Sequence, residues 1–356
     1  PGERTEITAI KLWDDNNNEN GKRPESIKLQ VKNGNTVVRI QEVTEAENWK
    51  YTFTNLPKYN AQGNEIVYTV DEQEVKANDL KFYTKAISGT TITNTFTVPE
   101  DKTEVTVTKV WNDNNNANGK RPESIKLQVK NGDIVVKEQV VTEAEGWKYT
   151  FTDLSMYDEQ GNTISYTVDE QEVNANDLKF YTKAITGITI TNTFTVPEDK
   201  TEVTISKVWN DNNDINNKRP ESIKLLVKNG DAVVRTQVVT GAENWQYTFT
   251  DLPKYNSQGN EITYTVDETE VNTDDLKFYT KAIEGTTVIN TFTVPEDKTE
   301  VTVEKVWNDN NDINNKRPES IKLQVKNGTQ VVAEQVVTEA ENWQYTFADL
   351  PKYNEQ

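Results

Sequence analysis

Glu104-Val105-Thr106-Val107-Thr108-Lys109-Val110-Trp111 decides how the chain reads. The stretch is rich in β-branched residues and alternates as a strand does. Val105, Val107, Lys109 and Trp111 fall on one face, and Thr106, Thr108 and Val110 on the other. A lysine among core residues is costly unless it is neutral, paired or consumed by chemistry. The same lysine returns as Lys11, Lys207 and Lys305.

Outward from this strand, everything repeats. Trp13, Trp111, Trp209 and Trp307 are evenly spaced, since 111 − 13, 209 − 111 and 307 − 209 all equal 98. Arg23-Pro24, Arg121-Pro122, Arg219-Pro220 and Arg317-Pro318 keep that period, as do Trp49, Trp147, Trp245 and Trp343. A period this long is a small domain and not a solenoid unit. The expected domains are residues 1–98, 99–196, 197–294 and a truncated fourth, 295–356. Near-identity of the copies points to recent duplication, so recurrence alone marks no residue as functional.

Composition removes whole classes of function. The net charge of −19 argues against nucleic acid and anionic membrane as partners. No apolar run is long enough to cross a bilayer and no signal peptide is present; the chain opens in mid-array, so its start says nothing about export. Histidine and cysteine are both absent, which excludes Ser-His-Asp and Cys-His sites and any disulfide staple. No cofactor is expected.

One repeat in order reads as a run of short strands. Ile7, Ala9, Lys11 and Trp13 share a face of the first. The polar loop Asp14–Gly21 follows, and Gly21, Gly119, Asn217 and Asn315 occupy one position, which predicts a left-handed residue there. Ile27, Leu29 and Val31 alternate inward, Asn33-Gly34 turns the chain, and Val37-Val38 resumes it. Trp49, Tyr51 and Phe53 alternate in the next strand and are assigned to the core. Ile66, Tyr68 and Val70 face inward, and Glu72 continues their face. Lys81-Phe82-Tyr83 reads as a further strand, and Ile92, Asn94 and Phe96 share a face of the last. About seven strands in about 100 residues without a helical pattern indicate an antiparallel β-sandwich. The short, proline-containing linker 97–102 predicts semi-rigid coupling between neighbours.

Three polar residues thus sit on core faces: Lys11, Glu72 and Asn94, recurring as Lys109, Glu170 and Asn192 and as Lys207, Glu268 and Asn290. Two readings fit. The bland one is a buried ion pair with an amide neighbour. The chemical one starts from desolvation, which lowers a lysine pKa and raises a glutamate pKa. A neutral amine is a nucleophile, and a neutral carboxylic acid polarises an amide carbonyl. Lysine would then attack the asparagine carboxamide, ammonia would leave, and an isopeptide bond would join the first strand to the last. The loop Asp113–Gly119 has a faint calcium-loop look, but it lacks a bidentate glutamate and Ile215 interrupts the third copy; turn chemistry is the assignment and no metal is expected.

Lys109-Val110-Trp111-Asn112-Asp113, Lys120-Arg121-Pro122, Trp147–Phe151, Tyr166-Thr167-Val168-Asp169-Glu170 and Ile190-Thr191-Asn192-Thr193 resemble the Cna B-type repeat. This is the stalk domain of collagen-adhesin-like surface proteins of Gram-positive bacteria. The resemblance spans every complete repeat. It implies a prealbumin-like or inverse immunoglobulin-like sandwich and an autocatalytic Lys–Asn isopeptide bond. The glutamate of the Tyr-Thr-Val-x-Glu strand is then the catalyst, so Glu72, Glu170 and Glu268 would serve the pairs Lys11–Asn94, Lys109–Asn192 and Lys207–Asn290. Repeat four departs from the pattern, because Lys305 has no glutamate or asparagine partner and stays unpaired. Ile289 replaces Thr93 and Thr191, on the face away from the triad.

The expected function is a structural stalk of an extracellular, cell-wall-anchored adhesin that presents a distal binding domain. It acts on no external substrate. The partners implied are neighbouring domains of the same protein and, through another region, a host extracellular-matrix protein. The alternatives are a matrix-binding module, which an exposed aromatic groove would favour, and a pilus shaft subunit.

Overall fold

The computed structural model describes residues 2–355. In the first repeat the strands are β1 (Arg4–Asp14), β2 (Ser26–Asn33), β3 (Thr36–Thr44), β4 (Lys50–Pro57), β5 (Tyr68–Glu74), β6 (Tyr83–Ser88) and β7 (Thr91–Phe96). They form a four-stranded sheet in the order β4-β1-β7-β6 and a three-stranded sheet in the order β3-β2-β5. The second and third repeats keep both orders. Between the sheets lie Ala9, Ile27, Leu29, Val31, Val43, Phe53, Leu56, Val70 and Ile92, with Trp49 at the edge. Equivalent cores fill the next two repeats. Among the described residues no helix is long and apolar enough to cross a membrane. By compactness the chain divides into residues 1–195 and 196–356, and each unit holds two repeats.

Pairing is antiparallel except between β1 and β7, which run parallel with Lys11 opposite Ile92 and Trp13 opposite Asn94. The entering and leaving strands of a repeat are therefore neighbours pointing the same way. The chain enters a sandwich at one end and leaves at the other, which suits tandem linkage.

The alternation of β1 survives because the irregularity opposite it falls in β4. Between Thr5–Leu56 and Ile7–Phe53, β1 advances two residues while β4 advances three. The extra residue is taken up beside Asn55, whose φ of 56° is left-handed. Phe53 and Leu56 are consequently both buried although they differ in parity. The predicted left-handed position is observed, with φ of 64°, 63°, 50° and 49° at Gly21, Gly119, Asn217 and Asn315.

Four local expectations need correction. Trp49 precedes β4 and is itself left-handed (φ 55°), because a 3-10 turn, Glu45–Glu47, capped by Thr44 swings the chain into the strand. Tyr51 is 38% exposed; it lies over the edge of Phe53, at 4.9 Å between ring centroids, and not in the core. Ile66 lies outside the strand, which begins at Tyr68. Lys81 and Phe82 belong to the turn before β6, which begins at Tyr83.

In repeat four the strand Lys298–Glu304 ends one residue before Lys305, whereas β1 continues to Asp14. Its sheets are two-stranded, since the equivalents of β5, β6 and β7 are not in the chain. A strand without its second neighbour loses half its ladder, and Lys305 is left exposed.

Candidate functional site

The fold brings the three polar residues of each complete repeat together. Lys11 comes from β1 and Asn94 from the adjacent parallel β7, offset by two register positions on the same inward face. Glu72 comes from β5 in the opposing sheet, where it pairs with Leu29 of β2, and reaches across the sandwich. Lys11 Nζ lies 3.5 Å from Glu72 Oε2, Lys109 Nζ 3.2 Å from Glu170 Oε2, and Lys207 Nζ 3.5 Å from Glu268 Oε2. All nine residues are buried, none more than 7% exposed.

Burial dominates the electrostatics. It pushes the amines of Lys11, Lys109 and Lys207 down to about 8, against the raising pull of the glutamate that each faces. It raises the carboxyl of Glu268, against Lys207 and Asn290. Hydrogen bonding leaves the site unsatisfied. Both carboxylate oxygens of Glu72, Glu170 and Glu268 lack a partner of good geometry, as do Asn94 Oδ1, Asn192 Oδ1 and Asn290 Oδ1. Buried polar groups in folded proteins are nearly always paired, so this cluster is a reservoir of reactivity or strain. The lysine tip is held over the neighbouring indole, 4.1 Å from the Trp13 ring centroid and 4.3 Å from those of Trp111 and Trp209.

A second cluster closes the end of β1, and it carries a signal that was passed over in the sequence. Arg23 donates to both carboxylate oxygens of Asp15, and Tyr83 Oη donates to Oδ2 at 2.9 Å. Arg121 and Tyr181 hold Asp113 likewise, as Arg219 and Tyr279 hold Asp211. Burial alone would raise the Asp15 carboxyl; the Arg23 guanidinium, the Asn18 amide and the Tyr83 hydroxyl outweigh it and hold it below its ordinary value. The residue that suggested a cation loop is therefore engaged by protein donors. Asp and Arg eight residues apart in all four repeats were the available cue. Tyr83 and Arg23 also pack on Trp13, so this cluster fixes the indole over which the lysine lies.

A family model described as the Cna protein B-type domain matches residues 7–95, 105–193, 203–291 and 301–356. The chain belongs to that family. A collagen adhesin of Staphylococcus aureus is 39% identical to it over 359 residues, which make up 98% of this chain and 28% of that protein. The chain thus spans little more than a quarter of that curated relative. Among solved structures, two B repeat units (B1B2) of the collagen binding protein of S. aureus are 37% identical, covering 99% of this chain and 90% of that one, with a TM-score of 0.35. A single B repeat unit (B1) of the same protein is 38% identical over 54% of this chain and 100% of that one, with a TM-score of 0.25. The triads described above recur in each complete B-type repeat, and Lys305 of the fourth lies 4.8 Å from the Trp307 ring centroid.

Proposed function

We propose that the chain is a run of B-type repeats, with bounds at 1–98, 99–196, 197–294 and 295–356, that forms the stalk of a cell-wall-anchored surface adhesin. Each complete repeat locks itself with a Lys–Asn isopeptide bond, and the stalk carries a distal binding domain toward a matrix protein. The observation that carries the reading is the convergence of a desolvated lysine, a desolvated glutamate and an asparagine amide from β1, β5 and β7 within one dry core.

The chemistry needs no outside reagent. Proton transfer from the Lys11 ammonium to the facing Glu72 carboxylate, 3.5 Å away, leaves a neutral amine and a carboxylic acid. The amine nitrogen attacks Asn94 Cγ while the acid protonates the amide oxygen. Glu72 then moves a proton to the departing nitrogen. One C–N bond forms, one breaks, ammonia leaves and the carboxyl proton balance is restored. At pH 7.5 a pKa of about 8 leaves roughly a quarter of the amine neutral, against about 0.1% for an ordinary lysine.

The position of the bond makes it mechanical. Tension enters at the start of β1, crosses from Lys11 to Asn94 and leaves at the end of β7, so residues 12–93 lie outside the load path. The crosslink would close a loop of 94 − 11 = 83 residues. By analogy with disulfides that is worth on the order of 4–5 kcal/mol.

Intact mass under denaturing conditions tests the reading. Three bonds remove three ammonia molecules, about 51 Da in all, from the sequence mass. A mass equal to that of the sequence would reduce the triads to buried polar networks.

A further inference from the structure

We infer that the first repeat is locked to the second, and the third to the fourth, by a built joint in which a Lys-Phe pair of one repeat grips a Tyr of the next. The linker therefore acts as part of a rigid coupling and not as a tether. The inference rests on the stalk reading for its purpose, but its geometry is independent of the isopeptide bond.

Within residues 1–195 the donor half is the turn before β6. Phe82 packs edge-on against Tyr157 of the second repeat, at 5.1 Å between centroids and 78° between planes. Lys81 Nζ donates to Tyr157 Oη at 2.7 Å and pairs with Asp101 Oδ2 at 2.9 Å. Lys22 Nζ reaches Asn162 Oδ1 at 3.4 Å and lies over the Phe82 ring. The acceptor half has a glycine where a Cβ would press on the neighbouring repeat. Gly161 is left-handed (φ 76°), and a Cβ there would meet Phe82 Cδ1 at 3.0 Å and Lys22 Cε at 3.1 Å.

The first repeat supplies an internal control. Gly63 has the same backbone (φ 82°) but open space around it, and Tyr59, the counterpart of Tyr157, is 42% exposed. The closeness at Gly161 thus comes from the neighbouring repeat and not from the turn itself.

The linker is pinned at both ends. Thr97 N donates to Phe82 O at 2.9 Å, and Met156 N donates to Asp101 O at 2.9 Å. Only residues 98–100 are left to bend. Within residues 196–356 the aromatic, ionic and backbone contacts of this joint are built again. Phe278 meets Tyr353 at 5.2 Å and 76°, and Lys277 Nζ lies 3.1 Å from Asp297 Oδ2. Thr293 N donates to Phe278 O, and Lys352 N to Asp297 O. At both junctions the coupling has an aromatic pair at its centre and charged side chains around it.

The chain has no cysteine, so spin labels can be placed cleanly on the full-length protein at Val38→Cys and Val136→Cys, equivalent exposed positions in the first two repeats. A free linker of five residues would spread its end-to-end distance over roughly 12 Å. The joint predicts a single narrow distance distribution for the parent. Phe82→Ala and Tyr157→Ala should broaden it at least about twofold, approaching the free-linker limit. Tyr157→Phe keeps the ring and should broaden it less. Gly161→Ala should shift or broaden the distribution while Gly63→Ala, which carries the same backbone strain, leaves it unchanged. A parent distribution as broad as a free linker, or equal widths for Phe82→Ala and the parent, would overturn the inference. The same samples report their ammonia losses by intact mass, so failure of the joint and failure of the crosslink are read separately.

Discussion

Lys109 has its amine in a dry core, facing Glu170 at 3.2 Å and the Trp111 ring at 4.3 Å. Removing the glutamate keeps the shape and removes the proton carrier. Glu170→Gln should therefore raise the intact mass by about 17 Da, less about 1 Da for the substitution itself, and leave repeats one and three crosslinked. The pH response of an uncrosslinked repeat follows from the lysine. In Asn192→Ala the amine titrates near 8 when folded and near 10.5 when unfolded. Below pH 8 both states are protonated and the whole penalty of burying the cation is present. Between about 8 and 10 the unfolded chain binds the extra proton, so stability rises with pH. The total approaches about 3 kcal/mol per lysine as an upper bound. In the parent the proposed bond would make this lysine an amide, which should lack that slope. Urea unfolding of both proteins from pH 7.5 to 10 reads the difference, and parallel curves would count against the assignment.

At the scale of elements, the pairing of β1 with β7 decides the mechanics. Parallel neighbours pulled from opposite ends are loaded in shear, and the proposed crosslink would lie near the exit of both strands. Pulling the full chain by its ends should extend none of the three complete repeats. The triple variant Glu72→Gln, Glu170→Gln, Glu268→Gln should release a contour of roughly 280 Å from the loop of each. The Asp-Arg-Tyr cluster at the end of β1 is a separate support. Asp113→Ala leaves Arg121 buried without its carboxylate and should cost repeat two about 3 kcal/mol. It should also slow crosslink formation, because Trp111 loses the packing that fixes it above Lys109. Time-resolved mass after refolding checks the rate, and calorimetry checks the stability.

Across the whole molecule, stability is expected to be uneven. The first and second repeats each bury ten apolar residues in contiguous cores and the third nine, whereas the fourth buries Leu323, Val337, Trp343, Phe347 and Leu350. Without a triad or its last strands, this part should open first. Limited proteolysis should trim residues beyond 295 while 1–294 stays intact, and simultaneous digestion of all repeats would contradict this. The repeat count, the strand count and the polar triads were legible in the sequence because a period of 98 and a period of two are both one-dimensional signals. Belonging to the B-type family was legible for the same reason, since its motifs recur in order and spacing. Three things were not. The exposure of Tyr51 goes with its place in β4, the edge strand of its sheet, and the backbone of Trp49 depends on a capped turn; neither alters composition. The role of Arg23 depends on a partner eight residues away that a strand reading skips. The Lys81-Phe82 turn read as a strand because its use lies in the next repeat. The sequence by itself determined which side chains of β1, β2, β5 and β7 face inward, since alternation is local. Only the tertiary structure decided that β1 and β7 run side by side, that Glu72 crosses from the other sheet and that Phe82 meets Tyr157. Those meetings depend on how distant segments pack, and no local pattern encodes that distance.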